Sequence, residues 1–198
     1  MIEIQFPFPH RYQIEEVGEF PGTCEPHSLL FYFPKPKGRP EHDGLWLKVH
    51  DEKGNSWIGV FKHGYPSPPA FSRVISTPDP QRACVISNGS AYIVKTDQPE
   101  LWESIPVFPI LDVRFVKKHE LLVFSDHTGL AVYGNSGLAW KSPRICWDDL
   151  KILSVTENTI RGTGYDAPNS RESEFAVDLR TGRPLLSPLM PKLDKPMQ

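Results

Sequence analysis

Ala83-Cys84-Val85-Ile86-Ser87-Asn88-Gly89-Ser90-Ala91-Tyr92-Ile93-Val94-Lys95 holds two apolar, β-branched runs broken once, at Asn88-Gly89. Asn-Gly between such runs is a strong hairpin signal, because both residues tolerate the positive φ of a type I′ turn. The stretch therefore predicts two antiparallel strands and a two-residue turn. Valine in place of Gly89 would force a β-branched side chain into that region, at an expected cost of ~1 to 3 kcal/mol. Working outward, period-two alternation or β-rich runs recur at residues 12–20, 28–33, 45–50, 56–61, 111–116, 121–125, 129–133, 150–155, 159–165 and 174–179. No window of a dozen residues carries a 3.6-residue apolar stripe, so helix content is expected to be low.

Proline supports the same reading. The 198 residues include 21 prolines spread along the chain, which disfavours long helices and suits many short strands joined by proline-bearing loops. Charged residues make up 23% and hydrophobic ones 39%, the balance of a globular chain long enough to bury its own core.

Charge and cysteine usage narrow the function classes. A formal net charge of -2 supplies no positive field to hold a phosphate backbone, so nucleic acid is not an expected partner. No stretch approaches the 18 apolar residues of a membrane span, and the first ten residues lack the pattern of a secretory signal. Cys24, Cys84 and Cys146 are odd in number and share no short spacing, which points to free thiols in a reducing cytoplasm rather than a disulfide framework. The expected localisation is cytoplasmic.

Laying the hairpins over one another exposes an internal repeat. Val49, Val94, Val132 and Val177 stand 45, 38 and 45 residues apart, and Trp57, Trp102 and Trp140 keep the same 45 and 38 steps, with Leu185 in the fourth place. Each unit reads as strand, polar turn, strand. Upstream, residues 83–86 align with 121–124 and residues 111–116 with 150–155, and the polar insertion 167–173 is expected in a loop. Ala176-Val177-Asp178-Leu179-Arg180-Thr181-Gly182 has the Ala-x-Asp-x-x-Thr-Gly form. It resembles the quinoprotein-like β-propeller blade, in which that run precedes a docking tryptophan, although here it stands only in the unit without one. The resemblance covers residues 11–188 loosely and concerns a blade style, not a family. It implies an all-β fold of about four repeated four-stranded antiparallel units, small and β-propeller-like.

On this reading residues 1–198 form a single β-repeat domain. Residues 1–6 are expected to pair with the last strand near Leu185, or two copies to close one larger ring, and the tail 189–198 is expected to be poorly ordered. The alternative is a β-sandwich, or two small β-domains divided near residues 66–70 at Ser67-Pro68-Pro69.

Site chemistry is sparse. The seven histidines show no HxH or HExxH spacing, so no metal site is expected. No Gly-x-Ser-x-Gly elbow, phosphate loop or cofactor motif is present, and no cofactor is expected. Alternation about Val113 puts Asp112 and Arg114 on one strand face, and Asp149 and Lys151 stand around the equivalent strand one unit later. Arg73 occupies the comparable place in the second unit, with Glu15 and Glu16 candidates in the first. A catalytic polar cluster of Arg73, Asp112, Arg114, Asp149 and Lys151 would follow if these strands line a channel.

The leading expectation is a non-enzymatic binding module whose partner is another protein or a second copy of the chain. Trp46, Tyr65 and Trp147 are its candidate contacts, with Phe6, Phe8 and Tyr12 as further aromatics. The competing reading is an enzyme acting on a sugar or organic acid in a polar channel, with Asp112, Arg114 and Asp149 as acid, base or clamp.

Overall fold

The Asn88-Gly89 turn forms as its residues predict. In the computed structural model Asn88 has φ 43° and Gly89 φ 80°, and Ser87 lies opposite Ser90 across a two-residue turn. The structure describes residues 2–17, 30–36, 43–65 and 70–186. Among them there is no α-helix; strands, turns and two short 3₁₀ segments carry the described chain, and the fold is all-β.

The chain divides into two compact units, Met1–Leu111 and Asp112–Gln198. In the first unit, β1 (Glu3–Gln5), β2 (Gln13–Glu16), β3 (Leu30–Phe33), β4 (Gly44–His50), β5 (Ser56–Lys62), β6 (Arg73–Ser76), β7 (Arg82–Ser87), β8 (Ser90–Lys95) and β9 (Trp102–Ser104) build two sheets, ordered β2-β4-β5-β3 and β1-β6-β7-β8-β9. In the second, β10 (Asp112–Val116), β11 (Leu121–Ser125), β12 (Leu130–Gly134) and β13 (Gly137–Lys141) form one antiparallel sheet. β14 (Asp148–Val155), β15 (Thr159–Asp166) and β16 (Arg171–Asp178) form another.

The valine and tryptophan positions meet across strands. Val49 lies opposite Trp57, Val94 opposite Trp102, and Val132 opposite Trp140, while Val177 bridges to Pro184. Trp57 is buried, whereas Trp102 and Trp140 are half-buried. Both turns that follow the first and last of these valines are closed by an aspartate. The Asp51 carboxylate accepts from the Lys53 and Asn55 backbone N–H groups. The Asp178 carboxylate accepts from Arg180 N, Thr181 N and the Thr181 hydroxyl. These donors favour the ionised form, led by the Asn55 side chain for Asp51 and by the Thr181 side chain for Asp178, and hold both carboxyls below the usual range.

Each unit has its own core. Leu47, Val49, Trp57 and Phe61 of the first sheet pack with Val74, Val85, Tyr92 and Val94 of the second. In the other unit Val123, Leu130 and Val132 pack with Leu150, Ile152, Ile160, Phe175 and Val177. The shared first core explains why the chain divides between Leu111 and Asp112 rather than near 66–70, where residues 66–69 lie outside the described ones.

Three expectations are corrected. β1 pairs in parallel with β6, with Glu3 beside Arg73, rather than with the last strand. That last edge is taken by the chain's own continuation, through Asp178 N to Arg183 O at 2.8 Å and Leu185 N to Ala176 O at 2.8 Å. β3 precedes β4 in the chain but lies beside β5 and parallel to it, so the first sheet is not an antiparallel meander. The polar insertion is only partly loop. Ala167–Asn169 make a 3₁₀ turn, and Arg171, Glu172 and Ser173 continue β16 opposite Asp166, Tyr165 and Gly164. An exposed hairpin face tolerates polar side chains, so polarity alone could not mark the strand's end. The tail 189–198 lies outside the described residues. Among those described, no helix is long and apolar enough to cross a membrane.

Candidate functional site

The polar residues singled out from alternation sit on strands, as expected, but as separate ion pairs. Asp112 and Arg114 share one face of β10, and Arg114 Nε donates to Asp112 Oδ2 at 2.8 Å. The Arg114 side chain is 50% exposed. Its Nη2 also reaches the Ile152 carbonyl on β14 at 3.4 Å, which ties the pair to the neighbouring sheet of the same unit. There, Lys151 Nζ donates to Asp149 Oδ2 at 2.7 Å with both side chains exposed. The Asp149 carboxylate, by hydrogen bond and charge, holds the Lys151 ammonium pKa above its ordinary value. Asp149 itself has φ 55° at an irregularity in β14. Arg73 belongs to the first unit, where its charge partner is Glu3. Glu15 faces His50 across the β2–β4 pair at 3.5 Å.

Pairs in water contribute little, because solvation competes with their attraction. We therefore expect Asp112→Asn and Arg114→Gln each to change the unfolding free energy by only about 0 to 1 kcal/mol. Urea denaturation of the two variants measures this, and a loss near 3 kcal/mol for either would reveal the desolvated cluster that the exposure argues against.

The candidate aromatics divide between the units. Trp46 is half-buried on β4, with its side chain opposite the face that carries Leu45 and Leu47 into the core. Tyr65 is 46% exposed just after β5, its backbone N–H bonded to the Asn88 carbonyl. Phe8 and Tyr12 are core residues, whereas Phe6 is exposed and stacks on His10 at 3.8 Å between ring centroids. Trp147 is the most structured of the exposed candidates. The Arg144 guanidinium lies over its ring at 5.1 Å, and the same guanidinium donates to Cys146 O at 3.0 Å and Trp147 O at 2.6 Å. Trp147 N–H in turn donates to Tyr165 O at 2.9 Å, beside the exposed Tyr165 side chain.

Concave surfaces beside two of the tryptophans escaped the sequence reading. In the first unit a groove of about 590 Å³ is lined by Phe31, Phe33, Pro36, Pro99 and Trp102 among others. In the second, a pocket of about 260 Å³ lies beside Trp140, with Leu121, Val132, His119 and Arg180 in its wall. The tryptophan spacing placed two of these residues on strands. What it could not show was that Trp102 and Trp140 keep part of their surface open.

Burial pushes the Cys84 thiol far above its ordinary range and the Cys146 thiol up to about 11, which disfavours a thiolate nucleophile. Cys24 lies outside the described residues. Among the described residues no three or more His, Cys, Asp or Glu side chains are grouped to hold a metal ion. No protein-family model matches the chain, and no curated protein is similar to it in sequence.

Proposed function

We propose that the chain is a non-enzymatic cytoplasmic protein-interaction module built of successive blade-like β-units, with Arg144 and Trp147 at the centre of its contact surface. The blade reading is supported by the three cross-strand valine–tryptophan pairs and by two matching indole bonds. Trp57 Nε1 donates to Thr96 O, and Trp140 Nε1 to Leu179 O, each at 2.8 Å. A docked tryptophan of that kind fits the resemblance to the quinoprotein-like blade. Gly182, in the Thr181-Gly182 step of that motif, lies so close to the Trp140 ring that an added Cβ would fall 2.6 Å from it.

The observation that carries the interaction reading is the Arg144–Trp147 assembly. Tryptophan, tyrosine and arginine dominate binding hot spots, since each offers a large contact area with a polar handle. Two backbone carbonyls hold the Arg144 guanidinium in place, so the ordering of that side chain precedes any association. The mutually satisfied Asp112–Arg114 and Asp149–Lys151 pairs also suit a solvated binding face better than a catalytic channel.

The test compares wild type with Trp147→Ala and Arg144→Ala, each shown by circular dichroism and melting to be folded. Immobilised protein is challenged with cell extract, and the self-association of each form is followed by sedimentation velocity. Either a defined set of retained proteins or a concentration-dependent dimer is expected for wild type. Loss of a hot-spot residue, about 2 kcal/mol or more, should weaken either by roughly thirtyfold. Monomeric behaviour with equal retention by all three proteins would remove the reading.

A further inference from the structure

Trp57 and Trp140 make the same bond in the two units but are covered differently. Each indole N–H reaches a backbone carbonyl 39 residues further along the chain, at 2.8 Å. Around Trp57, Phe31 packs edge-on at 5.6 Å and Phe33 at 6.0 Å between centroids, and the indole is only 5% exposed. Among the described residues no aromatic ring packs on Trp140. Gly182 is pressed against part of its ring, and the remainder lines the pocket of about 260 Å³ whose apolar wall is Leu121, Val132 and Ala139.

The rim of that pocket carries one fixed cation, Arg180. Arg180 and His119 both line it, and among the described residues Arg180 forms no ion pair. The nearest acid in sequence is Asp178, whose Oδ1 accepts from Arg180 N, Thr181 N and the Thr181 hydroxyl, and the Arg180 charge helps to keep it ionised without forming an ion pair. His119 Nε2 is shielded from solvent and has no hydrogen-bond partner among the described residues. An apolar recess lined by the Trp140 indole beside an exposed guanidinium selects a flat apolar group with a carboxylate next to it, because arginine recognises carboxylate by paired N–H donors and aromatic faces by stacking.

We propose that this pocket receives an aromatic side chain of a protein partner with an acidic residue beside it, Phe-Asp being the simplest form. The inference rests on the interaction-module reading and adds a second contact with a stated chemistry. The partner's ring would supply the cover that Phe31 and Phe33 give Trp57, and its carboxylate would meet Arg180.

The experiment follows the Trp140 indole N–H in ¹⁵N-labelled protein, assigned by its loss in Trp140→Phe. The probes are the capped peptide acetyl-Gly-Phe-Asp-Gly-amide, the same peptide with Asn for Asp, the same with Ala for Phe, and free 3-phenylpropionate. A saturable shift of the Trp140 resonance with the Phe-Asp peptide is expected. It should weaken about tenfold or more with either altered peptide and with Arg180→Ala, the equivalent of about 1.4 kcal/mol. An unmoved resonance at millimolar peptide overturns the inference, as does an equal shift in Arg180→Ala. A response to 3-phenylpropionate without one to the peptide overturns it in favour of a small-molecule carboxylate. Arg180 takes no part in the Arg144–Trp147 contact, so partner capture lost on Trp147→Ala while the Trp140 resonance stays still brings down only this inference.

Discussion

Gly89→Val is expected to lower the unfolding free energy by about 2 to 6 kcal/mol, the sum of two costs of about 1 to 3 kcal/mol each. The first is conformational: φ at Gly89 is 80°, a region that β-branched residues avoid because Cβ collides with the backbone. The second is packing. A Cβ built on Gly89 falls 2.8 Å from Pro109 Cβ and 3.3 Å from Ala70 Cβ. The local backbone is also tied down, since Gly89 N donates to Phe71 O at 3.1 Å and Gly89 O accepts from Ile110 N at 2.7 Å. Gly54→Val separates the two costs, because Gly54 has φ 84° with nothing within 4 Å of its built Cβ. That variant should show the conformational cost alone. Equal losses in urea denaturation of the two variants would mean that Pro109 moves aside and the packing cost is absent.

Trp57→Ala should cost about 3 to 5 kcal/mol, the range for deleting a large buried aromatic. The indole packs against Phe31 and Phe33 in the core and donates to the Thr96 carbonyl of a residue that is itself 2% exposed. Trp57→Phe keeps much of the apolar area but leaves that carbonyl without its donor, and should cost about 1 to 3 kcal/mol. Trp140→Ala should cost less than Trp57→Ala, because its indole is half-buried and lacks the covering phenylalanines. Chemical denaturation of the three variants checks the order. A Trp140→Ala loss matching that of Trp57→Ala would show that the exposed part of the indole is covered in solution.

Much of this local geometry could be read from residue order. Asn88-Gly89 predicted its own dihedral angles, since the turn's demands fall on two adjacent residues. The valine and tryptophan spacings became cross-strand neighbours because a hairpin of given turn length sets its own register. The alternation about Val113 put Asp112 and Arg114 on one face, and they bond there.

Pairings between segments distant in the chain were not legible. Nothing in residues 2–6 distinguishes β6 from the last strand as a partner. β1 lies beside β6, where Ile2 and Ile4 pack against the first unit's core, and the last edge is used by the chain's own continuation near Pro184. β3 beside β5 is a parallel pairing that no turn encodes.

The sequence by itself determined that the chain is all-β, where its tight turn lies, and which side chains share a face, because turn dihedrals and the two-residue strand period are local properties. The tertiary structure alone decided which faces are covered. It left Asp112–Arg114 partly exposed, buried Trp57 under Phe31 and Phe33, opened a pocket beside Trp140 and pinned Arg144 over Trp147. Burial depends on what packs against a face from elsewhere in the chain, and that information does not lie within the strand itself.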